Sequence, residues 1–291
     1  MPTRRTFIKN SGLLGAALIF NNDLLFAGKK NRIGLQMYTM RNVIDSKNVA
    51  QVLARIAVIG YKELEIFGYT ARDKFWGLDP IPFKALLKSH GLTAPSAHIS
   101  FENFLTGKDE SEFRFTCETA AIVGNKFIVV PWLAENYRKH GDDYKLLAGR
   151  LNKAAIIARQ YGLQLLYHNH DFEFTPLENG ATGYDLILQH TDKELVNFEL
   201  DLYWTVKAGK DPLQLFRDHP GRFPLWHVKD MDKATRSFTE AGTGIINFKE
   251  IFQQKKLAGL RHFFIEQDEV KKDVFESIKQ SFDFAKNNLL I

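Results

Sequence analysis

The sequence predicts an α/β fold in which residues 31–291 close into a single (β/α)8 TIM barrel. Three observations carry that expectation. From Asn31 onward, eight short runs rich in β-branched, leucine and aromatic residues alternate with longer stretches of helical periodicity. Several helical stretches stop at a glycine just before the next run, at Gly60, Gly91, Gly124, Gly162 and Gly259. A residue free to turn left-handed closes a helix there without a Cβ penalty. No Gly-x-Gly-x-x-Gly follows the first run, which argues against an open dinucleotide-binding sheet.

The expected strands are 32–38, 62–67, 92–98, 126–131, 163–170, 196–201, 223–229 and 262–267. Helical spacing is clearest at Val49, Val52, Leu53, Ile56 and Ile59, at Leu147, Leu151, Ala154, Ala155 and Ala158, at Phe248, Ile251, Phe252 and Leu257, and at Val274, Ile278, Phe282 and Ala285. Residues 68–82 read as a longer loop over the barrel mouth. The chain of 291 residues is long enough for such a barrel plus a leader, with 45% hydrophobic and 25% charged residues, as in ordinary soluble domains. Cys117 is the only cysteine, so an intramolecular disulfide and a cysteine-rich zinc site are both excluded. The net charge is +5, of which residues 1–27 carry +2. The rest contains no dense basic run, and nucleic acid is not an expected partner.

Residues 1–27 read as an export segment. Thr3-Arg4-Arg5-Thr6-Phe7-Ile8-Lys9 precedes a short apolar run at 11–20, a pattern similar to the twin-arginine signal that carries folded proteins. The run is short for a membrane span, so no stable membrane insertion is expected once the segment is removed near Ala27. An uncleaved segment would leave an anchor. Export predicts a periplasmic location and favours free, keto or glycosidic sugars over cytoplasmic sugar phosphates. Whether the chain forms a homo-oligomer is left open.

Barrel active sites lie at the C-terminal ends of the strands, and strand alternation sorts side chains by face. The fifth strand puts His168 and His170 on the face of Leu166, and the sixth puts Glu199 and Asp201 together. The seventh pairs His227 with Lys229, and the eighth presents Glu266. Four consecutive strands therefore deliver His168, Asp201, His227 and Glu266, expected at matching heights, as ligands for a divalent ion. Mixed imidazole and carboxylate donors suit Mn2+, placed first, or Zn2+, Fe2+ or Co2+. Glu65 and His98, at the ends of the second and third strands, are candidate sugar contacts with His170 and Trp204. Trp132 and Trp226 are further candidates for apolar walls.

The segments 167–174 (Tyr-His-Asn-His-Asp-Phe-Glu-Phe), 199–204 (Glu-Leu-Asp-Leu-Tyr-Trp), 226–230 (Trp-His-Val-Lys-Asp), 242–244 (Gly-Thr-Gly) and 264–267 (Phe-Ile-Glu-Gln) resemble the xylose isomerase-like barrel superfamily, in its sugar phosphate isomerase/epimerase branch. The resemblance runs from about Ile33 to Ala285. It implies a metal held by Glu, Asp, His and Glu on the last four strands, with Asp201, His227 and Glu266 matching three positions and His168 replacing the first Glu. Trp204 stands where many relatives have a histidine. The implied activity is a metal-dependent sugar isomerase or epimerase working through an enediolate. Glu266 or His168 would move the proton, and Lys229 would stabilise the oxyanion. Relatives with a histidine in the fifth strand include inosose dehydratase-like proteins, so lyase or hydratase chemistry on a keto sugar, including elimination from a keto-glycoside, is an alternative. A non-catalytic carbohydrate-binding barrel is another. An endonuclease IV-like nuclease would need a denser set of ligands.

Overall fold

Each of the eight predicted runs forms a parallel strand in the computed structural model, which describes residues 32–67, 69–70, 74–178 and 180–290. The expected export segment lies outside the described residues. The strands are β1 (Gly34–Gln36), β2 (Glu63–Ile66), β3 (Thr93–His98), β4 (Phe127–Val130), β5 (Gln164–His168), β6 (Val196–Asp201), β7 (Leu225–Val228) and β8 (His262–Ile265). They close into a barrel in sequence order, with β8 pairing back onto β1 through Gly34 opposite Phe264 and Leu35 opposite Ile265. The main outer helices are α1 (Val49–Ile59), α2 (Pro80–Ser89), α3 (Glu110–Val123), α4 (Gly141–Gln160), α5 (Gly183–His190), α6 (Leu202–Lys207), α7 (Pro212–Asp218), α8 (Phe248–Gln253) and α9 (Val274–Asn288). Among the described residues no helix is long and apolar enough to cross a membrane.

Strand alternation divides the core into two shells. On β4, Phe127 and Val129 point inward and join Leu166, Leu225 and Phe264 in a plug inside the barrel. Ile128 and Val130 point outward into the larger shell under the helices. Gly34 makes the plug possible. A Cβ there would lie 2.4 Å from the Phe264 ring and 2.7 Å from the Phe263 carbonyl, so any larger residue would displace the ring that fills the barrel.

The loop expected at residues 68–82 is shorter than the sequence suggested, because α2 already begins at Pro80. Proline lacks the N–H that a first helical turn leaves unused, and its fixed φ is already helical. Beyond β7 the chain makes a small antiparallel ladder, Asp230–Met231 with Phe238–Thr239. The Gly-Thr-Gly segment then folds back around Asp230. The Asp230 carboxylate accepts from the backbone N–H groups of Gly242 (2.8 Å), Gly244 (2.9 Å) and Ile246 (3.2 Å). A Cβ on Gly244 would sit 2.3 Å from Asp230 Oδ1. This nest fixes the loop that follows Lys229.

The plug gives a direct test. Gly34→Ala is expected to destabilise the fold by about 1–3 kcal/mol through overpacking, and adding Phe264→Leu should recover part of that loss. Equilibrium denaturant unfolding measures both. An unchanged midpoint for Gly34→Ala would show that the barrel interior is not packed as described.

Candidate active site and metal centre

The barrel's stagger decides which polar side chains meet. Tilted strands put residues of equal sequence offset at different heights, so His168 pairs across to Glu199, whereas Asp201 pairs across to His227. The four ligands expected at one height are therefore split between two overlapping groups. Among the described residues, His98, His168, Glu199 and His227 bring ligand atoms within 4.8 Å of one another, and so do Asp201, His227 and Glu266. His227 belongs to both.

The lower group is held by its own hydrogen bonds. Glu199 Oε2 accepts from His98 Nε2 at 2.8 Å and from His168 Nδ1 at 3.1 Å. Glu65 Oε2 accepts from His227 Nε2 at 2.6 Å and from Gln36 Nε2 at 2.7 Å, while Glu65 Oε1 accepts from Ser96 Oγ at 2.5 Å. Glu65, expected as a sugar contact, is thus fully buried with both oxygens engaged, and it orients His227 from beneath. His98, also expected to touch substrate, bridges Glu199 and Glu65, the latter at 3.2 Å.

Those bonds fix the upper group. A carboxylate only accepts, so the nitrogens facing Glu199 and Glu65 carry the protons. His168 Nε2 is left 3.8 Å from Asp201 Oδ2, and His227 Nδ1 lies 3.8 Å from Asp201 Oδ2 and 2.8 Å from Glu266 Oε2. Asp201 Oδ1 caps α6 by accepting from the Trp204 N–H at 2.9 Å, and Asn169 Oδ1 accepts from the Asp201 N–H at 3.0 Å. Asp201 Oδ2 and His227 Nδ1 are buried, and their partners are ion-pair contacts, to Lys229 and Glu266 respectively, rather than well-aligned hydrogen bonds. An imidazole whose outer N–H is tied to a carboxylate is the arrangement metal-binding histidines need. The inner nitrogen of neutral His168 is already available, whereas His227 would first give up the Nδ1 proton that it holds toward Glu266. Asp201, His227 and Glu266 thus form a ligand group for a divalent cation, with His168 Nε2 beside it, 3.8 Å from Asp201 Oδ2.

Lys229 enters the same space. Its Nζ lies 3.0 Å from Asp201 Oδ2, 2.8 Å from Glu266 Oε2 and 3.0 Å from Asp268 Oδ2. Burial pulls its pKa down, but Asp201, Asp268 and Glu266 overcome that and hold the ammonium charged. Burial likewise opposes charge on His227 and His98. Glu199 and its neighbours keep His227 well above the ordinary imidazole value, and Glu65 and Glu199 raise His98 to about 9. His168 goes the other way, held neutral by burial and then by the nearby His227. Burial raises Asp201 to about 6 against Lys229 and His227, whereas Lys229 and His227 outweigh burial at Glu266 and lower it.

The mouth wall is aromatic. His170 lies edge-on to Trp132 at 4.9 Å, stacks with Phe172 at 5.6 Å and leans on Trp204 at 5.2 Å. Burial, then Lys229, lowers His170 to about 3, so it serves as a neutral wall with one buried, unbonded Nδ1. Trp132 is half-exposed. Trp226, grouped with these tryptophans from sequence, instead faces outward and stacks on Phe216 at 5.0 Å. Sequence reasoning noted Glu199 beside Asp201 and as an ion-pair partner for Lys229 but left it out of the site, whereas Lys229 pairs with Asp201, Glu266 and Asp268; Asn169 and Asp268 were missed. Asn169 sits inside the fifth-strand motif and Asp268 two residues past Glu266.

This chain belongs to the xylose isomerase-like TIM barrel family, which it matches over residues 53–287. It is 26% identical over 269 residues to an inosose dehydratase of Clostridium botulinum (strain Alaska E43 / Type E3), covering 81% of this chain and 86% of the relative. It is 27% identical over 263 residues to an inosose dehydratase of Lacticaseibacillus casei, covering 78% and 85%. Among solved structures, a sugar phosphate isomerase/epimerase from Parabacteroides distasonis ATCC 8503 superposes with a TM-score of 0.79 at 27% identity, covering 91% of this chain and 96% of that one.

Glu173 anchors the turn after β5, accepting from Tyr167 Oη at 2.6 Å and from the His170 N–H at 2.8 Å. Burial raises its carboxyl to about 7 despite both bonds. A folded pKa above the unfolded value means the folded state holds the extra proton. Stability should therefore fall as pH rises from about 4.5 and level off above about 7, a loss of roughly 3 kcal/mol. Glu173→Gln is expected to remove that slope and to melt above the parent at pH 8. Parallel melting curves for the two proteins between pH 5 and 8 would contradict this.

Proposed function

We propose that the protein is a divalent-metal-dependent enzyme that moves a proton next to the carbonyl of a non-phosphorylated or keto sugar, as an isomerase or epimerase. The single observation that carries the reading is the pair of imidazoles tied outward to Glu199 and Glu65, with inner nitrogens facing Asp201 Oδ2 and Glu266 Oε2. A bound divalent ion would supply Lewis acidity, polarising sugar oxygens and acidifying the adjacent C–H. We assign His168, Asp201, His227 and Glu266 as its ligands, with Mn2+ as the expected ion. The field that protonates His227 would favour such a cation, and binding would release that proton.

Lys229 places an ammonium beside Glu266 and beside the aromatic wall, its Nζ 5.8 Å from the Trp204 ring centre. On this side of the mouth, within reach of Asp268 as well, it would stabilise the negative charge that develops on a sugar oxygen as an enediolate forms. Glu266 takes the proton, with neutral His168 as the other acceptor on the face. Trp132, Phe172 and Trp204 supply apolar surface for a ring. The segment at 1–27 supports export of the folded chain to the periplasm, where free or oxidised sugars are the available class.

A second reading is favoured by the relatives named inosose dehydratase and by His168 in place of the usual Glu. The same proton removal followed by loss of a neighbouring oxygen gives a lyase. Product analysis on a panel of free and keto sugars separates the two, with solvent-deuterium incorporation expected in either case.

Turnover should vanish on chelation and return with Mn2+. Asp201→Asn and His227→Ala should each lower metal affinity by at least about 100-fold and abolish measurable activity. Full metal occupancy and turnover in both variants would sink the site assignment. Sugar affinity without turnover in the metal-loaded parent would point to a binding barrel.

A further inference from the structure

Lys229 Nζ contacts the very oxygens that would bind a metal. Asp201 Oδ2 and Glu266 Oε2 lie 3.0 and 2.8 Å from it; these are the oxygens that face His227 Nδ1, and Asp201 and Glu266 complete the ligand group with His227. An ammonium and a divalent cation cannot share them, because like charges at that separation repel strongly in a buried site. The ammonium has a second partner. Asp268 Oδ1 and Oδ2 accept from it at 3.2 and 3.0 Å, and neither oxygen belongs to the ligand group.

Asp268 is built to stay in place. Arg41 donates to its backbone carbonyl. The preceding Gln267 N–H donates to Thr39 Oγ1 at 3.1 Å, and the Gln267 side chain accepts from Ser277 Oγ at 2.9 Å. Its side chain is 21% exposed, against 2% for Lys229, so the seat lies toward the open mouth.

We infer that Lys229 is an internal cation that competes with the divalent metal for Asp201 and Glu266, and that Asp268 is the seat to which metal binding displaces it. This rests on the metal reading above and adds a positioning residue to it. Asp268 lowers the cost of moving the ammonium, and it aims the displaced Nζ at the mouth, where substrate oxygens arrive. A lysine with no second carboxylate would either block the metal or be left buried and unpaired, which is costly.

The test is a double-mutant cycle read by calorimetric titration of metal-free protein with MnCl2, on the parent, Lys229→Met, Asp268→Asn and the double variant. With the competitor gone, Lys229→Met should bind Mn2+ about tenfold more tightly. Asp268→Asn should bind about tenfold more weakly, and Asp268→Glu should restore the parent value. In the Lys229→Met background, Asp268→Asn should have almost no effect. Lys229→Gln serves the same comparison if the methionine variant does not fold. Equal weakening by Asp268→Asn in both backgrounds would overturn the inference, as would unchanged affinity in Lys229→Met. No Mn2+ binding by the parent would instead remove the metal reading on which the inference stands.

Discussion

Glu65, Glu199, Asp201, Glu266 and Asp268 gather at one end of the barrel, where unpaired charge is expensive. The cations placed among them are Lys229 and the two histidines held protonated, His98 and His227. Counted formally, five carboxylates face three positive charges, which leaves the cluster two positive charges short of neutrality. That deficit organises the mouth. It keeps a buried lysine charged, pulls protons onto two imidazoles, and lifts Asp201, where burial outweighs its neighbours, to about 6. A divalent ion is the simplest species to close such a gap.

The deficit is directional because the backbone and the deeper carboxylates fix the donor atoms. Glu65 and Glu199 take the outward imidazole protons, the Trp204 N–H takes Asp201 Oδ1, and Asn169 ties β5 to β6 at the Asp201 amide. What remains free points to one place. Preorganisation of this kind suits a metal site better than raw charge density, since ligands already held in position lose little freedom on binding. The layers beneath matter for the same reason. Gly34 admits Phe264 to the barrel interior, and Phe264 pairs in register with His227, so the hydrophobic plug forms the floor of the polar cluster.

Much of this was legible in the sequence. The runs rich in β-branched, leucine and aromatic residues mark all eight strands, glycines that close helices precede five of them, and β6 spans the residues expected for it. Inward faces followed from alternation, so His168, Asp201, His227, Lys229 and Glu266 were gathered on one side of the barrel from sequence alone. Their relative heights were not legible, because shear is a property of the closed barrel rather than of any strand, and it moved His168 level with Glu199 instead of Asp201. The role of Glu65 was misplaced for a related reason. It lies one residue before the end of β2 and sits a layer below the mouth. Asp268 lies past the last strand residue, where alternation no longer assigns a face. The start of α2 at Pro80 was hidden because proline signals both loops and first helical turns.

The central claim is that four named atoms hold one cation. The most direct measurement is anomalous diffraction from crystals of the metal-loaded protein. The account predicts a single strong peak about 2.0–2.3 Å from His168 Nε2, His227 Nδ1 and an oxygen each of Asp201 and Glu266. A peak bound instead within the His98, His168 and Glu199 layer, or no peak at the mouth at full metal loading, would contradict it.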